Sequence, residues 1–198
     1  MRRGIVFFLS GAPGSGKTTV ARALMQRYPR GFHLPLDDFR EWVVSGIAHP
    51  VPWSDETGRQ FELAFQSGAE ISRIYANAGF AVAVDQVLYP EQIQKYFLAR
   101  LDGVRCYPIL LTPPEAVARE RNRARTSKAF DPSVLEPVIA GIAASLSAAV
   151  NGQPEWITID NGGLSVEETV NAVLRGIRES DRPPTTERPP EIADSKPF

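Results

Sequence analysis

The chain has 198 residues, of which 43% are apolar and 23% charged, the proportions of a globular protein that buries a sizeable core and not of a disordered or fibrous chain. Lys and Arg number 22 against 23 Asp and Glu, a formal net charge of −1, so no global basic field draws in nucleic acid or an anionic membrane, and neither is an expected partner. The one cysteine, Cys106, excludes an internal disulfide or a thiolate metal cluster and points to a reducing compartment, with the cytoplasm as the expected location.

Residues 4–10 are a continuous apolar run that breaks at once into Gly11-Ala12-Pro13-Gly14, which predicts a buried first strand and not a signal peptide. A helical pattern follows from Lys17 to about Tyr28, closed by Pro29 and Gly31. Residues 31–36 predict a second strand, with Pro35 acceptable on a sheet edge, and Asp37-Asp38 predicts the cap of a helix near 39–45. Gly46 to Asp55, with Pro50 and Pro52, has the make-up of an ordered loop.

A long helix is expected over 57–78, ended by Gly79, then a third strand over 80–84 with Asp85 at its end. Next come a helix over 91–101 and a fourth strand over 104–111, in which Pro108 predicts a bulge or an offset start. Pro113-Pro114 opens an arginine-rich helix to about Arg125. Asp131-Pro132 predicts the N-cap and first-turn proline of a helix reaching Val150, whose apolar run from Val138 is too short to span a bilayer. Residues 156–160 predict the fifth strand, and Ser165 with Glu168 the capping box of the last helix. Strands alternating with helices imply an α/β fold, a parallel sheet between two helical layers, over residues 1–180. Residues 181–198, rich in proline and charge, predict a disordered tail.

Gly11-Ala12-Pro13-Gly14-Ser15-Gly16-Lys17-Thr18 satisfies the P-loop pattern and stands between an apolar strand and a helix start. Glycines let successive backbone N–H groups converge on phosphates, and the helix N-terminus adds favourable partial charge. Lys17 reaches the β and γ phosphates, Thr18 can ligate Mg²⁺, and Thr19 completes the candidate nucleotide contacts. The chain lacks the Asn-Lys-x-Asp run of a guanine reader, the water-activating Glu that a motor places after its strand-end acid, and room for the extra helical domain of a remodelling ATPase.

What remains is the plan of a small kinase. Asp37, after strand two on the carboxyl edge of the sheet, can accept the proton of a substrate hydroxyl, while Asp38 reads as the helix cap. Asp85 is suited to holding Mg²⁺ through water. Arg119 and Arg123 share one helical face, Arg121 and Arg125 another, where a closing lid brings guanidinium groups to the transferring phosphoryl. His49 reads as a surface residue and Trp53 as a packing residue of the loop, with substrate stacking as the alternative for Trp53.

The P-loop Gly11 to Thr18, the acid in Leu36-Asp37-Asp38-Phe39, the strand Ala81 to Asp85 and the Arg-rich stretch Val117 to Arg125 together resemble the P-loop small-molecule kinases, most closely the chloramphenicol phosphotransferase-like group, over about residues 4–178. The resemblance implies five parallel strands in the order 2-3-1-4-5, ATP as donor, Asp37 as general base, and a lid formed by Arg121, Arg123 and Arg125. It also implies that Asn161 and Gly162, in the turn after strand five, border the adenine. Where that group tends to carry a second acid after the strand-three Asp, this chain has Gln86. The expected activity is transfer of the γ-phosphate of ATP to a hydroxyl of a small molecule, a metabolite or an antibiotic. The alternatives are a kinase of nucleotides, of nucleotide sugars in the zeta-toxin manner or of polynucleotide 5′ ends, and a non-catalytic nucleotide-dependent binding module. Neither the acceptor nor the oligomeric state is written in the sequence.

Overall fold

A computed structural model of the chain describes residues 3–124 and 132–181. The expected disordered tail, the lid residue Arg125 and the expected cap Asp131 lie outside the described residues, except that Asp181 follows directly on the last helix. Five strands, β1 (Ile5–Ser10), β2 (Gly31–Pro35), β3 (Ala81–Asp85), β4 (Arg105–Leu111) and β5 (Ile157–Ile159), form one parallel sheet in the order β2-β3-β1-β4-β5. Between them run α1 (Lys17–Met25), α2 (Leu36–Glu41), α3 (Asp55–Asn77), α4 (Pro90–Gln92), α5 (Glu115–Arg123), α6 (Glu136–Val150) and α7 (Val166–Ser180).

The central strands alternate between two cores. Val6, Phe8, Val82 and Val84 meet Phe65, Ala69 and Ala76 of α3 and Leu146 and Val150 of α6. Phe7, Leu9, Ala81 and Ala83 meet Val20, Ala21 and Leu24 of α1 and Val170, Val173 and Ile177 of α7. Val6, Phe7, Phe8 and Leu9 are fully buried, each contributing about 1.5–3 kcal/mol, so β1 anchors both layers and holds the P-loop at its carboxyl end.

Four local expectations are corrected. Helix α2 starts at Leu36 with Pro35 as its N-cap, so Asp37 and Asp38 stand in its first turn and offset the helix dipole instead of Asp38 capping from outside. Helix α3 starts at Asp55, earlier than expected, because Ser54 and Thr57 form a reciprocal capping box, Thr57 N donating to Ser54 Oγ (3.1 Å) and Ser54 N to Thr57 Oγ1 (3.3 Å). The stretch expected as one helix over 91–101 is α4 continued by a π-helical segment, Ile93–Phe97, and a 3₁₀ turn, Leu98–Arg100. Pro108 causes no bulge, since β1 and β4 pair without a skip from Ile5↔Arg105 to Ser10↔Leu110. Strand β5 joins only from Ile109, so at Pro108 the outer side of β4 is still a sheet edge with no ladder to interrupt.

The apolar stretch before Val150 is longer than its sequence suggests. The 3₁₀ turn Pro132–Leu135 leads into α6, and Ser133–Val150 has a mean hydropathy of 1.7, long and apolar enough by composition to cross a membrane. Ile139, Leu146 and Val150 of α6 are buried against the domain.

Candidate active site

The P-loop joins β1 to α1 through positive-φ glycines. Gly14 (φ 78°) has no room for a side chain, because a Cβ would lie 2.0 Å from Ala118 O, and Gly16 (φ 92°) is the N-cap of α1. Lys17 Nζ donates to Gly11 O (2.7 Å) and Ala12 O (3.1 Å), folding its head back over the loop. The turn after β5 is fastened to this loop: Asn161 Nδ2 donates to Ser15 O (2.9 Å), and Arg121 Nη2 reaches Asn161 O (3.0 Å) and Gly162 O (3.4 Å). Asp160 Oδ1 accepts from Gly162 N (2.9 Å) and shapes the turn. Ser15 Oγ and Asn161 Oδ1 are buried without a hydrogen-bond partner among the described residues. The side-chain-free cradle at Gly14, the α1 N-terminus and Lys17 fit nucleotide phosphates.

A cavity of about 1180 Å³ extends from Gly14, Lys17, Thr18 and Thr19 past Asp37 and Asp85 to the loop after α2. Asp37 Oδ1 accepts from Gln86 Nε2 (2.7 Å), and Gln86 Oε1 accepts from Val87 N (2.7 Å), so the backbone sets which way the amide faces. The segment behind Gln86 is tied to the end of β1, Ser10 Oγ donating to Leu88 O (2.8 Å) and accepting from Leu88 N (3.0 Å). Asp85, 5% exposed, hydrogen-bonds through Oδ2 to His33 Nε2 (3.2 Å) on β2. Among the described residues no group of three His, Cys, Asp or Glu could hold a metal ion unaided, so a cation here needs oxygens from a bound phosphate beside Thr18 and Asp85.

The arginines divide by helical face. Arg121 lines the cavity. Arg123 does not come to it among the described residues; both its Nε and Nη2 pair with the Glu136 carboxylate, which these bonds hold below the usual carboxylate range. Arg119, on the face of Arg123, bonds Glu115 Oε1 (2.7 Å) and Glu136 O (2.9 Å) and staples α5 to α6.

Four residues escape sequence reasoning. Arg40 is 8% exposed, its guanidinium 4.0 Å from the Phe61 ring centroid, with Nη2 donating to Ala48 O; burial pulls its pKa down while Asp37 and Glu41 oppose the shift. Its position three residues after Asp37, one helical turn on, was the available signal. Gln60 binds the loop as a β-strand would, Nε2 donating to Gly46 O (2.8 Å) and Oε1 accepting from Ala48 N (3.0 Å). Thr57 Oγ1 adds a bond to His49 O (2.8 Å). His33 gives no sequence signal, since it reaches Asp85 only diagonally across the sheet, its own register partner being Ala83. His49 is exposed, as expected, and lies at the rim of the cavity, which Trp53 also lines.

Residues 6–148 match the AAA domain family. No curated protein sequence matches the chain. Among solved structures, the gluconokinase from Sinorhizobium meliloti 1021 is similar with a TM-score of 0.63 and 18% identity, over 91% of this chain and 95% of that one. The thymidylate kinase from Candida albicans gives 0.60 and 14%, over 90% and 92%. The Mycobacterium tuberculosis APS kinase in complex with AMPPNP and APS gives 0.56 and 17%, over 90% and 99%. At these identities the likeness is one of fold, and the sheet order implied by the P-loop resemblance is the one observed. The match over most of its length and the kinase fold of its neighbours lead to one placement: the chain belongs to the AAA domain family and has the P-loop kinase fold.

Proposed function

We propose that the protein transfers the γ-phosphoryl group of ATP to a hydroxyl of a small molecule. The observation that carries this reading is that one cavity is lined both by the P-loop residues Lys17 and Thr18 and by the Asp37 carboxylate, which Gln86 orients. In this reading the P-loop N–H groups and the α1 N-terminus bind the phosphates, and Lys17 exchanges its loop carbonyls for phosphate oxygens. Thr18 and Asp85 would hold Mg²⁺, Asp85 through water, and the ion would supply positive charge to the phosphates there. Asp37 takes the proton of the acceptor hydroxyl as its oxygen forms the new bond to phosphorus and the bond to the β,γ-bridging oxygen breaks, releasing ADP. Arg121, held over the turn of Asn161 and Gly162, adds positive charge for the transferring group. Arg123, committed to Glu136, keeps α5 on α6.

The test is ADP release from Mg²⁺·ATP with and without pools of hydroxyl-bearing compounds, alongside Lys17→Ala and Asp37→Asn. A rate that rises with one pool and collapses in both variants supports the reading. Stimulation that survives Asp37→Asn removes Asp37 as the base.

A further inference from the structure

Arg40 reaches the acceptor end of the cavity from α2 with its hydrogen bonding incomplete. It is 8% exposed, and its guanidinium lies 4.0 Å from the Phe61 ring centroid with Nη2 donating to Ala48 O. Nε, on the same edge of the planar fork as Nη2, is buried and has no partner among the described residues. Solvent does not reach it, so bulk water does not stand in for the missing acceptor. Buried charged donors are paired as a rule, and one left unmade at a cavity wall is accounted for by an acceptor atom that the cavity receives.

Latching the loop does not account for the arginine. Gln60 holds Gly46 O and Ala48 N, and Thr57 holds His49 O, while a bond to Ala48 O asks for one neutral donor and not for a buried charge. The neighbouring carboxylates do not complete it either. Asp37 and Glu41, which have other partners, favour the charged form, yet burial, the larger effect, pulls the Arg40 pKa down. Arg40 follows Asp37 by three residues on α2, a spacing that puts Cβ atoms about 5–6 Å apart on one helical face. A group bound at the Arg40 fork therefore belongs to the same part of the acceptor as the hydroxyl at Asp37.

We infer that Arg40 anchors the acceptor through an oxyanion, a carboxylate or a phosphate, that the acceptor carries close to its reacting hydroxyl. The Nε and Nη2 edge turns from Ala48 O to the two oxygens of this group, as Lys17 turns from its loop carbonyls to phosphate, and Gln60 and Thr57 keep the loop in place. Phe61 holds the plane of the fork from one face. The inference rests on the kinase reading for the fate of the hydroxyl, while the binding half stands on Arg40 alone.

The test uses the full chain with the P-loop first filled by Mg²⁺·AMPPNP, so that an added anion cannot settle in the phosphate cradle. Glycerate and glycerol 3-phosphate are the anionic hydroxyl probes and glycerol their neutral counterpart; titration calorimetry reads binding, and ADP release from Mg²⁺·ATP reads turnover. At least one anion is expected to bind about tenfold or more tightly than glycerol, and Arg40→Gln to remove that preference with AMPPNP affinity unchanged. Arg40→Lys, which keeps the charge but lacks the fork, recovers part of it. Binding of glycerate alone assigns a carboxylate, and binding of glycerol 3-phosphate alone a phosphate; either sustains the inference. If Arg40 only latches the loop, Arg40→Gln lowers stability in urea and leaves the preference over glycerol as it was, which overturns the inference. So does the absence of binding by both anions up to millimolar concentration. ADP release that glycerol stimulates, that Asp37→Asn abolishes and that Arg40→Gln leaves unchanged overturns the inference and leaves the kinase reading standing. Arg40-dependent anion binding with no ADP release from any of the three compounds sustains the inference and counts against the kinase reading.

Discussion

The two ends of the cavity are built on different principles. The P-loop end is one contiguous run, Gly11 to Thr18, whose groups are mostly main chain. The other end gathers side chains from α2, the loop after it, α3 and the segment after β3. Phosphate chemistry is the same in every nucleoside triphosphate, so a short backbone device recognises it. An acceptor is particular, and only long-range packing composes a surface for it. Asp37 is the hinge between the two: its place on the sheet edge belongs to the fold, while its orientation depends on Gln86.

The sharpest way to break this division is to strike each end and ask whether the other notices. Lys17→Ala is expected to lower kcat by about 10³-fold and to weaken ATP binding in calorimetry. Asp37→Asn is expected to lower kcat by about 10²–10⁴-fold with ATP affinity unchanged; if ATP affinity falls as far as in Lys17→Ala, the ends are not separable. Gln86→Ala removes the donor to Asp37 and should cost about 10- to 100-fold in kcat through misplacement, with both KM values near wild type. Gln60→Ala leaves Gly46 O and Ala48 N without their partner, so urea denaturation should show a loss of about 1–3 kcal/mol, and the acceptor KM should rise while the ATP KM holds.

The smallest effect serves as a control, because Cys106 on β4 belongs to neither end. Burial pushes its thiol up to about 11 from 9.0, so between those values the folded chain keeps a proton that the unfolded chain sheds. Stability therefore falls as pH rises from 9 to 11, and Cys106→Ala should flatten that part of a denaturation-against-pH curve. Tyr107, pushed up to about 12 by burial and by its bond to Asp181, adds a further fall above pH 10 that the variant retains.

The same division explains what could be read from the sequence. The P-loop and the largely apolar strands β1 and β3 are legible because local order suffices to specify them, and the alternation of strands and helices declared the parallel sheet. Asp38 was misread as a cap because a helix beginning on Leu36 directly after Pro35 leaves no intervening residue to mark the boundary. Ser54 was overlooked because its box closes on Thr57 and not on the Glu or Gln of the usual pattern. The Pro108 difficulty disappears only with the length of β5, a fact about another strand. Gln60 had no local signature, and the spacing of Arg40 from Asp37 was a weak one: their roles arise from Phe61, Ala48 and Gly46, which the chain brings to them only on folding.

The loop over the acceptor end is gripped almost wholly by its main chain. Arg40 takes Ala48 O, Gln60 takes Gly46 O and Ala48 N, and Thr57 takes His49 O. None of these bonds depends on which side chains stand at positions 47, 49 or 51. Selection can therefore rewrite the chemistry facing the acceptor by substitution at those positions without first dismantling the scaffold, and lineages carrying this P-loop can diverge in what they phosphorylate while keeping how they bind nucleotide.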